Sequence, residues 1–388
     1  MNTEQIRAKT PGTKNVIHFN NAGASLMPQL VSEAVITYLQ EETSRGGYET
    51  AHKRRNELKK VYSSVADFIN AETDEIAIME NATAAWNMAF FSVDFQDDDR
   101  ILTSMAEYAS NYINYLKLQE NKDVQVEVIP NDEHGQVSVS SLEEMMDENV
   151  KLISITHIPT NSGLVNPIEE IGDIAEDYSC LYLVDACQSV GHYPVDAQNI
   201  GCDMLSATGR KYLRAPRGTG FLYVNKRALP RLSPPFLDLH AAKWVSKNEY
   251  RVRDDARKFE NWESNYAGIL GLKKAVEYAD RLGIENIWNR IVKLANKLRS
   301  QLSKLPEVAV RDIGQTQCGI VTFTHESVSP NSVQQKLAGK NINVNTSSKS
   351  STLLDMQDRN LEQVVRASVH YYNTEEEIEK LVGVLQSI

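Results

Sequence analysis

Apolar positions recur along the first two-thirds of the chain in two alternating rhythms. Gln29–Glu42 and Arg54–Ile69 carry them at helical spacing, and so do Ala84–Phe91, Tyr108–Gln119 and Pro167–Tyr178. Between these lie short, nearly continuous apolar runs: Glu75–Met79, Arg100–Ser104, Val124–Ile129, Lys151–Thr156 and Cys180–Val184. Runs apolar on both faces suit strands covered on both sides. The alternation therefore predicts an α/β fold, a three-layer sandwich around a mostly parallel sheet. Ligands of such sheets bind beyond the carboxyl ends of the strands.

After about Tyr250 the rhythm changes. Ala267–Leu282 and Ile284–Leu305 are long amphipathic runs, Val308–Arg311 and Gly319–Thr324 read as strands, and Ser332–Gly339 as a helix. A last helix starts at Asn373-Thr374, with Glu377 at capping-box spacing from the threonine. This predicts a smaller α+β C-terminal domain over residues 251–388, a large domain over 26–250, and an N-terminal segment, 1–25, packing on the small domain. The charged stretch Lys243–Glu263 is expected to join the two domains.

Composition narrows the function classes. The net charge of −11 argues against nucleic acid or an anionic membrane as main partner. No run approaches the ~18 apolar residues of a membrane span, and the polar stretch Met1–Lys14 does not read as a signal peptide. The four cysteines form no CxxC pair and the eight histidines show no metal spacing, so neither a disulfide framework nor a metal is expected, and a reducing cytoplasm fits best.

The polar residues at the strand ends carry the chemistry. Leu181–Val184 runs into Asp185-Ala186-Cys187-Gln188, followed by Thr208-Gly209-Arg210-Lys211 and then Arg217-Gly218-Thr219-Gly220. A carboxylate after four apolar residues needs a partner. A lysine in a loop of small residues nearby completes what a pyridoxal phosphate (PLP) site requires. The lysine amine forms a Schiff base with the cofactor aldehyde, and the aspartate keeps the pyridine nitrogen protonated so that the ring serves as electron sink.

Other residues extend this reading. Gln188 can hydrogen-bond the phenolic oxygen. Ala82 and Thr83, between a strand and a helix, offer N–H groups for a phosphate, and Arg210, in a short basic cluster, is a second phosphate contact. Tyr108, just past a strand, can stack on the ring. Arg366 can clamp the carboxylate of an amino acid. Singly these residues read as well as an N-cap, a core tyrosine or a surface ion pair; together they converge on one cofactor.

These motifs, with Phe19-Asn20-Asn21-Ala22-Gly23, Glu80-Asn81-Ala82-Thr83 and Arg366-Ala367-Ser368, resemble the class V aminotransferase-fold PLP enzymes of fold type I. That family includes cysteine desulfurases, selenocysteine lyases, isopenicillin N epimerase-like proteins and C–S lyases. The resemblance implies that Lys211 carries the cofactor and Asp185 pairs with the ring nitrogen. Gln188, with Thr160 or Asn161, would contact the phenolic oxygen, and Tyr108 would stack where the desulfurases usually have histidine. Thr83, Thr208 and Arg210 would bind phosphate, with Thr219 offered from the partner of a homodimer. Arg366 and Asn21 would hold the substrate.

Two departures bear on the reaction. Arg210 stands where desulfurases usually carry histidine, and Asn343–Gln363, which matches their mobile loop, has no cysteine. Together with Arg257–Glu263 and Glu107–Asn111, these features look like the epimerase-like and C–S lyase branch. The expectation is β-elimination from a cysteine derivative, giving pyruvate and ammonia. Racemisation or epimerisation, with Tyr108 as a second acid, and transamination share the same Cα deprotonation. A non-catalytic PLP-binding or sulfur-transfer scaffold would not need the intact Lys211, Asp185 and Arg366 set.

Overall fold

The computed structural model describes residues 1–388. Seven strands build the central sheet: β1 (Ile76–Met79), β2 (Arg100–Ser104), β3 (Gln125–Ile129), β4 (Val150–Thr156), β5 (Leu181–Asp185), β6 (Met204–Thr208) and β7 (Gly220–Val224). Their order is β3-β2-β4-β5-β6-β7-β1. Only β7 runs antiparallel to its neighbours β6 and β1. The four parallel pairings among β2 to β6 place β4, β5 and β6 inside the sheet, with neighbours on both sides. Helices cover both faces, and every residue of β5 and β6 is buried.

β6 and β7 were not evident as strands in the hydrophobic pattern. Ser206-Ala207-Thr208 reads as a loop of small residues, yet it lies in the middle of the sheet, where small side chains admit close packing of the helix Ala82–Phe90. Gly220 shows how close: a Cβ there would lie 2.5 Å from the carbonyl oxygen of Ala207 and 3.1 Å from the backbone of Asn81. The helix is thereby seated against β7 with its N-terminus at the sheet's edge. Its Trp86 and Phe90 rings stack 4.8 Å apart beneath the sheet.

A second, antiparallel sheet follows, ordered Val308–Val310, Ile320–His325, Gln363–Ser368, Asn345–Ser348. The final helix, Glu375–Leu385, has the expected capping box between Thr374 and Glu377. The stretch from Lys243 to Glu263 is not a plain connection. Ala242–Ser246 and Glu249–Val252 form a two-stranded hairpin whose Trp244 and Tyr250 are 71% and 62% exposed. Short polar strands with both faces in solvent give no period-2 signal, which is why the hairpin was not foreseen. No helix is long and apolar enough to cross a membrane.

The N-terminal segment ties the molecule together. Ile17–His18 pairs in parallel with Ile342–Asn343, and Asn20 bridges to Ser368. Arg214 locks it from the other side. This fully buried guanidinium donates to Leu26 O (2.7 Å), Tyr371 Oη (2.8 Å) and Thr10 Oγ1 (2.7 Å). It also lies over the rings of Tyr372 and Tyr371, 4.6 and 5.2 Å from their centroids.

Candidate active site

A cavity of about 320 Å³ opens where the carboxyl ends of β4, β5 and β6 meet the start of the helix Ala82–Phe90. Its wall brings together Lys211, Asp185, Gln188, Tyr108, Thr160 and Arg210, with Ala82 and Thr83 at one end. This is the place that a parallel sheet reserves for ligands.

Asp185 is the last residue of β5 and only 6% exposed. Burial pushes its carboxyl up, against the pull of Asn111, the Cys187 N–H and Lys211. Asn111 Nδ2 donates to Oδ2 at 3.0 Å and Cys187 N to Oδ1 at 2.9 Å. The turn after the strand thus fixes one oxygen and Asn111, on the helix Ala109–Gln119, the other. Lys211 is 9% exposed and has one polar contact, to Cys187 Sγ at 3.1 Å. Cys187 keeps some exposure at the cavity wall; burial pushes its thiol up, against the pull of Lys211.

At the other end, Asn81 caps the helix by accepting from Ala84 N at 2.9 Å. Like the first N–H groups of any helix, those of Ala82 and Thr83 lack an intrahelical partner. Arg210 and Arg217 stand beside them on the cavity wall. The arrangement suits a dianion.

Arg366, on the strand Gln363–Ser368, reaches across from the C-terminal sheet and donates Nη1 to Thr160 O (3.0 Å) and Thr160 Oγ1 (2.6 Å). It is 5% exposed, its Nε has no partner, and no carboxylate pairs with it. Burial lowers its guanidinium to about 10. A buried guanidinium with free donors can hold a carboxylate.

Four of the expected residues are not in the cavity wall of this single chain, Thr219 among them, which was expected from the partner of a homodimer. Asn161 turns away and donates to Thr352 Oγ1 at 3.1 Å, leaving Thr160 as the one that faces the cavity. Asn21 spends its amide on Ser368 O and His18 O and accepts from Tyr372 Oη, pinning the N-terminal segment rather than facing a ligand. Thr208 Oγ1 accepts from Arg210 Nη1 at 3.1 Å and so orients that side chain. Thr219 donates to Pro216 O at 2.7 Å within its own turn. In the other direction, Asn111 and Cys187 touch Asp185, and Glu107 bonds to Asn111 and Thr156, roles the sequence did not assign to them. Glu107 and Asn111, four residues apart at the mouth of a helix, were the available signal.

The donor set fits PLP on the structure's own terms. Gln188 is 3% exposed, donates to Ala22 O at 3.2 Å and has an Oε1 with no partner. Asp185 faces a space without a cation of its own beyond Lys211, and the helix start with Arg210 and Arg217 offers donors and positive charge at the far end.

The model of the family described as aminotransferase class-V matches residues 17–381. A "probable cysteine desulfurase" of Methanothermobacter thermautotrophicus is 33% identical, over 100% of this chain and 98% of its own. A second "probable cysteine desulfurase", from Pyrococcus abyssi, is 30% identical over 99% of this chain and 97% of its own. Among solved structures, an apo cysteine desulfurase from Thermococcus onnurineus NA1 superposes with a TM-score of 0.93 at 28% identity, covering 99% of this chain and 97% of that one. The named relatives are thus desulfurases rather than epimerases.

Proposed function

The chain belongs to the aminotransferase class-V family, and we propose that it is a PLP-dependent lyase that cleaves the carbon–sulfur bond of cysteine or a cysteine derivative, releasing pyruvate and ammonia. The observation that carries the reading is the convergence of Lys211 and Asp185 on one cavity, with Arg366 bonded to Thr160 of its wall and its Nε without a partner.

Lys211 would hold the cofactor and Asp185 would face its ring nitrogen. Gln188 would take the phenolic group and Tyr108 the ring face. Ala82, Thr83, Arg210 and Arg217 would take the phosphate. When bound, the cofactor supplies an electron-withdrawing ring conjugated to the substrate's amino nitrogen. Arg366 orients the substrate by its carboxylate so that the Cα–H bond points at Lys211. Lys211 Nζ would take the Cα proton. It then holds that proton near the departing sulfur, which leaves Cβ as a thiol or persulfide of the substrate.

A desulfurase of the kind the relatives are named for is the second reading. It requires a thiolate to receive the sulfur. Cys180, Cys202 and Cys318 are buried away from the cavity, and Cys187, the one cysteine in its wall, has its thiol pushed up by burial. The lyase reading needs no protein thiolate. Incubating the PLP-loaded protein with cysteine or cystine, without a keto acid, separates the cases. Pyruvate with equimolar ammonia supports the lyase. Alanine with persulfide on the protein would overturn it in favour of a desulfurase, and D-isomer formation in favour of a racemase.

The protein acts as a homodimer in this proposal. The support is the exposure of large apolar side chains that a second copy could cover, Phe236, Leu239 and Trp244 at 74%, 74% and 71%. For Arg366→Lys we expect KM to rise roughly 10- to 100-fold with a smaller change in kcat, because an ammonium cannot replace a planar two-point donor. Steady-state kinetics at varied substrate would check it, and an unchanged KM would remove Arg366 from carboxylate binding.

A further inference from the structure

We infer that Glu107 is a positioning residue for the reaction, acting through Asn111 on Asp185. The inference rests on the cavity being a PLP site.

Asn111 Nδ2 has two hydrogens and spends both on carboxylates: one on Glu107 Oε1 at 2.8 Å, the other on Asp185 Oδ2 at 3.0 Å. Only this orientation of the amide works, because turning it would set its oxygen against two acceptors. The position of Asp185 Oδ2 is therefore fixed by a group whose other anchor is Glu107.

Glu107 is 3% exposed and lies just past the end of β2. Its remaining acceptor capacity is filled by Thr156 Oγ1 (2.5 Å), Thr156 N (3.1 Å), Tyr108 N (2.9 Å) and Thr103 Oγ1 (3.2 Å). All these donors are neutral. One carboxyl thus sets three residues of the cavity wall, Tyr108, Asn111 and Thr156. Burial, against these hydrogen bonds, raises the Glu107 carboxyl to about 7, and the charge of Asp185 adds to the rise.

A buried acid with no cation beside it is costly to retain for folding alone, since neutral residues fill such a turn more cheaply. Its use lies in position: through Asn111 it holds Asp185 Oδ2 in place, and a carboxylate so held favours a proton on the ring nitrogen it faces and supports the ring's capacity to accept electrons.

The test uses protein loaded with PLP labelled with ¹⁵N in its ring, as wild type, Glu107→Gln and Asn111→Ala. Glu107→Gln places an NH₂ among donors and is at risk of not folding. Asn111→Ala keeps the other four bonds to Glu107 and breaks only the bridge. In both variants the ring-nitrogen signal is expected to move from the protonated towards the neutral pyridine position. A fall in kcat of roughly 10- to 100-fold, the scale seen for outer partners of a reactive group, should accompany it, with KM less affected. A wild-type-like ring signal in both, with activity falling only as far as the melting temperature or bound cofactor falls, would show a purely structural role and overturn the inference. A wild-type protein that takes up no PLP would instead remove the reading beneath it.

Discussion

Lys211→Ala is expected to lower turnover by about 10³-fold or more while leaving the fold intact. Two losses combine: the covalent anchor of the cofactor and the amine that moves the Cα proton, each a large term in its own right. Ala82, Thr83, Arg210 and Arg217, the phosphate contacts of the proposal, do not involve Lys211. The variant should therefore still bind PLP, with the visible absorption of the free aldehyde in place of that of the lysine-bound form. Lys211 has a single hydrogen bond, to Cys187 Sγ, and the Asp185 carboxyl keeps its bonds to Asn111 and the Cys187 N–H without it, so the melting temperature should change little. Retained turnover in the variant would end the assignment of Lys211, and with it the mechanism.

The opposite outcome, large in stability and small in chemistry, is expected for Arg214→Ala. Three hydrogen bonds, to Leu26 O, Tyr371 Oη and Thr10 Oγ1, would be lost, and with them the contacts with two tyrosine rings. Each buried acceptor left without a donor costs about 1–3 kcal/mol, and the vacated volume adds to that, so a loss of roughly 3–5 kcal/mol is expected. Arg214 also sits at φ +62°. Glycine adopts this conformation without penalty, so Arg214→Gly should be less destabilised than Arg214→Ala by about 1 kcal/mol. Thermal unfolding followed by circular dichroism would rank the two. Equal melting temperatures for wild type and both variants would show that the N-terminal segment is held by its strand pairing alone.

The site's chemistry was more legible in sequence than its surroundings. Asp185 announces itself because an acid after four apolar residues has to sit at the end of a buried strand. Lys211 follows because few other residues near such an acid carry an amine. Ala82 and Thr83 were found because the switch from a strand period to a helix period marks a helix start. Residues whose role depends on a distant partner were misplaced. Asn161 and Thr160 are neighbours in sequence, and only the path of the loop decides that Thr160 faces the cavity while Asn161 meets Thr352. Asn21 bonds to Ser368, and Arg214 to Thr10, across more than half the chain, a separation to which periodicity is blind. β6 escaped because small polar residues in a central strand look like a loop.

The pairing of Ile17–His18 with Ile342–Asn343 has a consequence for the order of events during synthesis. All seven strands of the central sheet lie between Ile76 and Val224, so that sheet can assemble while the C-terminal third is still unmade. The segment carrying Ala22, whose carbonyl steadies Gln188, has to wait for the last residues to emerge before its own strand finds a neighbour. The wall of the pocket on that side closes at the end of translation. A ribosome-bound chain stopped short of residue 342 would thus present an open, half-walled cradle, and tight capture of the cofactor becomes a property of the released polypeptide.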